Sequence, residues 1–64
     1  MCESNAYLVN EDGAEELILE NVDRVIPQSD GEIILEDIFG KQRTVKARIK
    51  ELALVEHRII LVKA

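Results

Sequence analysis

The chain has little of what most small domains use to hold themselves together or to do chemistry. Its 64 residues include one cysteine (Cys2), one histidine (His57), one proline, no tryptophan, and only Tyr7 and Phe39 as aromatics. A lone cysteine excludes an intramolecular disulfide. With a single histidine beside it, one chain cannot build a closed tetrahedral zinc site. No run approaches the ~20 apolar residues that span a bilayer, and no basic segment followed by an apolar one marks a signal peptide. Glycine occurs only at positions 13, 31 and 40, so no phosphate-cradling loop is present. Ser4 and Ser29 have no nucleophile context. The acids Asp12, Glu15 and Glu16, and the pair Glu36 and Asp37, lack calcium-loop spacing and read as solvated charge. These absences point away from an enzyme. The free thiol near a polar start suits a reducing compartment, so the expected location is the cytoplasm.

What is present is aliphatic and charged. Hydrophobic residues make up 47% of the chain, mostly Val, Ile, Leu and Ala. A single domain over residues 1–64 is the only division this length allows. A chain of about 60 residues buries only about 60% of its unfolded surface, so a partner chain is an expected source of extra stability. The net charge of −5 disfavours a general polyanion binder, but it hides an asymmetry. Residues 1–40 carry eleven carboxylates against Arg24, a net of −10, whereas residues 41–64 carry a net of +5. Such a split marks either a nucleic-acid surface or acidic and basic strands lying side by side. In a domain this small the second arrangement is preferred.

Turn signals recur about every ten residues, the spacing of a small sandwich or barrel. Asp12-Gly13 separates a strand near Ala6–Val9 from Glu16–Leu19. A short strand follows within Asn21–Ile26, stopped by Pro27 to Gly31. Glu32–Glu36 is compact and strand-like, and Asp37 to Lys41 turns the chain with Gly40 at positive φ and Phe39 as a plug. Val45, Ala47 and Ile49 alternate with Thr44, Lys46, Arg48 and Lys50, the period of a half-exposed strand. A last strand is expected from Leu54 to Val62, with Val55, His57, Ile59 and Leu61 on one face and Ile60 and Val62 on the other. Apolar on both faces, it is expected either to be buried on both faces or to meet another chain. The fold class is therefore all-β: a six- or seven-stranded antiparallel barrel or roll, homodimeric partly through its C-terminal strand.

Cys2 is the one residue with sharp chemistry. A small residue at position two permits removal of the initiator Met, which leaves an α-amine and a thiol on adjacent carbons. Those two groups close a five-membered chelate, and a thiolate is a strong ligand for borderline and soft metals. Two such termini at a two-fold axis offer two sulfurs and two nitrogens, a set suited to square-planar nickel or copper. If Met1 is retained, its amine, the Cys2 amide nitrogen and the thiolate form fused rings instead. The alternative is that Cys2 is a small apolar residue at the start of a strand. His57 is a second candidate ligand, but its place in the alternating series reads as a buried ring. The basic segment Lys41, Arg43, Lys46, Arg48 and Lys50 is the best case for RNA, although single-strand binders pair such charge with aromatic platforms that are scarce here.

The start Met1-Cys2, the run Leu35 to Gly40, the segment Val45 to Glu51 and the ending Val55 to Leu61 together resemble the CooT family over nearly the whole chain. That resemblance implies a small cytoplasmic homodimeric β protein that binds nickel through Cys2 at the dimer interface. It also implies a part in nickel delivery to a client enzyme such as carbon monoxide dehydrogenase. The family has been labelled predicted RNA-binding as well, which keeps the Lys41–Lys50 reading as an alternative. No membrane partner is implied.

Overall fold

A computed structural model describes residues 3–64, so Met1 and the candidate ligand Cys2 lie outside the described residues. Five strands are formed: β1 (Ser4–Val9), β2 (Glu15–Pro27), β3 (Glu32–Asp37), β4 (Gln42–Ala53) and β5 (Arg58–Lys63). They close into a barrel in chain order. Four of the pairings are antiparallel, and the ring is sealed by a parallel pairing of β1 with β5, Asn5 opposite Arg58 through Val9 opposite Val62. Closure leaves no free sheet edge along these registers, which a small β domain otherwise has to protect. Among the described residues no helix is long and apolar enough to cross a membrane.

The strand count is five rather than six or seven, and the reason is local. The two segments expected at Glu16–Leu19 and Asn21–Ile26 are one 13-residue strand, β2, that serves two neighbours. Its first half pairs with β1 and its second half with β3, with register shifts near Val22 on both sides. Asn21 adopts φ +57° at this corner, so an extra residue bends the strand without ending it. In the same way β4 pairs first with β3 and then with β5, shifting register between Ile49 and Glu51.

The last strand also begins later than expected. Ala53 to His57 forms a tight turn, in which the Glu56 amide donates to the Ala53 carbonyl (3.1 Å) and the His57 amide to the Leu54 carbonyl (3.1 Å). The turn breaks the alternation that placed Val55 and His57 inside. Val55 is 94% exposed and His57 is also exposed, whereas Ile59 and Leu61 do face the core. Ile60, expected as a free outward residue for a partner chain, is already buried within one chain.

The core is a single aliphatic cluster: Ala6, Ile18, Leu19, Val22, Ile33, Leu35, Ala47, Ile59 and Leu61. Leu35 and Leu61 are completely buried. At the β3–β4 turn the Asp37 carboxylate accepts the amides of Phe39 (2.9 Å) and Lys41 (2.8 Å), and Gly40 sits at φ +87°, as its position predicted. Phe39 itself is not a plug. With the turn pinned by Asp37, its side chain is left 81% exposed.

Candidate functional site

The described residues nearest in sequence to Cys2 are held at one end of the barrel by two corners. Ser4 starts β1 opposite Val22 of β2 and is buried. On one side the His57 ring Nδ1 lies 3.1 Å from the Glu3 carbonyl oxygen. A carbonyl can only accept, so Nδ1 carries the proton and Nε2 keeps the lone pair when the ring is neutral. The Asn5 amide donates to the His57 carbonyl at 2.9 Å. On the other side the Asn21 amide donates to Asn5 Oδ1 at 3.3 Å. Glu3 to Asn5 is thus tied both to the β4–β5 turn and to the β2 corner.

Beside this segment a cleft of about 270 Å³ opens between β2 and the end of β4, lined by Ser4, Val22, Val25, Ile49, Leu52 and Leu54 among others. Its rim carries much of the molecule's exposed apolar surface. Leu52 is 49% exposed and Leu54 62% exposed, with Val55 the next residue along. Among the described residues no three His, Cys, Asp or Glu side chains cluster closely enough to hold a metal ion. His57 is the one imidazole, and it faces the N-terminal segment rather than the core.

The charge asymmetry of the sequence resolves in part into neighbouring strands. Acidic β3 lies beside basic β4, with Glu32 opposite Lys46 and Glu36 opposite Gln42. Glu36 accepts from Gln42 Nε2 at 2.8 Å and pairs with Arg24 at 3.5 Å. Arg43 donates to the Ile18 carbonyl at 3.1 Å, and Arg58 pairs with Glu15. Lys41, Lys46, Arg48 and Lys50 are exposed. Lys46 lies opposite Glu32 and Arg48 opposite Val62, and among the described residues neither forms an ion pair. The Tyr7 ring face is occupied by the Arg58 guanidinium, 4.5 Å from its centroid, so it offers no bare stacking platform on that side. Exposed Phe39, next but one to Lys41, is the remaining aromatic.

The sequence contained a signal for both corners that the strand pattern concealed. Asn and His are among the few non-glycine residues enriched at positive φ, and these two positions are the non-glycine residues found there.

A family model described as CO dehydrogenase accessory protein CooT matches residues 1–62. The chain belongs to the CooT family. A crystal structure of a protein assigned as CooT from Carboxydothermus hydrogenoformans is 51% identical to this CooT-family chain. The alignment covers 98% of each chain, with a TM-score of 0.88. No curated protein sequence matches it. The family match runs through position 2, so Cys2 lies within the matched segment although it lies outside the described residues.

Proposed function

We propose that the protein is a nickel-binding accessory protein, a carrier or store rather than a catalyst, that serves maturation of a nickel enzyme such as CO dehydrogenase. Nickel is its cargo, held by Cys2 where two copies of the chain meet. The observation that carries this reading is the match to the CO dehydrogenase accessory family over residues 1–62, Cys2 included. The donor chemistry agrees with it. A thiolate with an adjacent amine or amide nitrogen makes a chelate suited to a square-planar divalent ion, and one chain contributes too few such donors to complete the set. The apolar rim of Leu52, Leu54 and Val55 at the barrel end that receives the N-terminal segment supports a second copy there. It replaces the C-terminal strand as the favoured contact, because Ile60 is already covered within one chain. The RNA reading has less support: Lys46 lies opposite Glu32, Tyr7 is capped by Arg58, and among the described residues Phe39 is the one aromatic left well exposed.

The test is a nickel titration of the wild type and Cys2→Ser, followed by calorimetry and by thiolate-to-nickel absorption. One nickel per dimer, lost in the variant, is the expected result; equal binding by both proteins refutes Cys2 as the ligand. Mass spectrometry of the native protein establishes whether Met1 is removed, and so which nitrogen accompanies the thiolate. Copper belongs in the same titration, since it outranks nickel for most nitrogen–sulfur sites.

A further inference from the structure

Five described residues have φ in the left-handed region. Three are glycines at turn tips, Gly13, Gly31 and Gly40, with open space around them. There the backbone conformation alone matters, and glycine adopts it without steric cost. The other two are Asn21 at φ +57° and His57 at φ +59°. Both make hydrogen bonds to the same three-residue segment, Glu3–Asn5. A non-glycine residue is uncommon in this region, and its conformation persists where the surrounding structure holds it. For His57 that hold is not packing, because it is exposed and outside the core cluster. Its ring reaches the Glu3 carbonyl, 54 positions away in sequence, while its own carbonyl receives the Asn5 amide.

We propose that His57 is a positioning residue for the nickel site: its ring Nδ1–H anchors the Glu3 carbonyl and so restricts the conformations open to the residue just before it. The inference rests on Cys2 as the nickel ligand. A thiolate ligand has to be held in place for nickel to bind, and an anchored Glu3 fixes the backbone to which Cys2 is joined. Releasing one residue's backbone is expected to weaken nickel binding by about tenfold. His57 acts here through Glu3, with Nδ1 as the working atom.

Three substitutions separate this role from the alternatives. His57→Gly removes the ring yet suits φ +59°, so the fold should melt no lower than the wild type. His57→Asn keeps a donor where Nδ1 stood and tolerates the left-handed region. His57→Gln places its amide where Nε2 stood. Nickel titration by calorimetry is paired with ¹⁵N relaxation at the Glu3 and Ser4 amides of the metal-free protein. The expected result is loss of order at Glu3 and about tenfold weaker nickel binding in the glycine variant, both restored by asparagine and not by glutamine. Unchanged nickel binding in His57→Gly overturns the proposal, as does unchanged order at Glu3. Rescue by glutamine but not asparagine also overturns it and makes Nε2 a ligand instead. Cys2→Ser, run in the same series, identifies failure of the underlying reading: if it binds nickel like the wild type, the inference falls with that reading, whatever the relaxation at Glu3 reports.

Discussion

Arg58 lays its guanidinium over the Tyr7 ring, 4.5 Å from the centroid, and pairs with Glu15 from the same position. It thereby links β5, β1 and β2 across the parallel seam that closes the barrel. The side chains remain partly exposed, so the ion pair is screened and contributes little, while the stacked cation contributes about 0.5–1 kcal/mol. Arg58→Ala should therefore destabilise the protein by about 1 kcal/mol in urea unfolding. A double-mutant cycle with Tyr7→Leu should show coupling above ~0.5 kcal/mol. Zero coupling would mean that the stack is a surface coincidence and the seam is held by its backbone ladder alone.

Asn21 is the corner that turns two expected strands into one. Replacing it with a β-branched residue at φ +57° should cost about 1–2 kcal/mol. Asn21→Gly should be neutral or nearly so, because its amide bond to Asn5 comes from the backbone. Thermal unfolding of Asn21→Val and Asn21→Gly measures the difference. Equal melting temperatures for the two variants would show that the corner is not strained.

Those corners also mark the limit of what the sequence conveyed. Period-two alternation placed Val45, Ala47 and Ile49 on one face. Ala47 is in the core and Val45 packs against it, but Ile49, next to the register shift, is 39% exposed. The charge asymmetry did put an acidic strand beside a basic one. Gly40 announced its turn, since its conformation is a property of the residue. What stayed hidden depended on partners distant in sequence. Asn21 hints at a left-handed corner, but the residues from Glu16 to Ile26 do not say that the strand changes neighbours there, because the bulge is defined by β1 and β3 together. His57 looked buried because the alternation Val55, His57, Ile59, Leu61 is real from Ile59 onward and accidental before it. Its link to Glu3 spans almost the whole chain, and only closure of the barrel brings the two together.

Leu35 tests the core. It is completely buried in β3, within a core cluster made of Ala, Val, Ile and Leu side chains. Leu35→Ala should cost about 2–5 kcal/mol. A domain of this length has a total stability of roughly 3–10 kcal/mol, so the variant should lose a large share of its margin and melt well below the wild type, as read by circular dichroism. Nickel or dimerisation that binds only the folded form should restore part of the signal by mass action. A cooperative transition within a few degrees of the wild type would mean that the core relaxes around the lost methyl groups.

The rim at the N-terminal end of the barrel separates the fold from the assembly. Leu54 is 62% and Val55 94% exposed, and neither belongs to the core cluster, so Leu54→Ser with Val55→Ser removes almost no packing within one chain. Stability measured at a concentration where the chain is monomeric should shift by no more than about 0.5 kcal/mol, the range of ordinary surface changes. Water contact with two large aliphatic side chains is costly only if a partner normally excludes it, each contributing up to about 1.5–3 kcal/mol when fully buried. If the second copy of the chain covers this rim, sedimentation velocity should show the double variant moving from dimer toward monomer at micromolar concentration. Nickel stoichiometry should fall with it, because the donor set is then split between separate chains. A variant that remains dimeric would move the contact elsewhere on the barrel and leave the apolar rim free for a client protein.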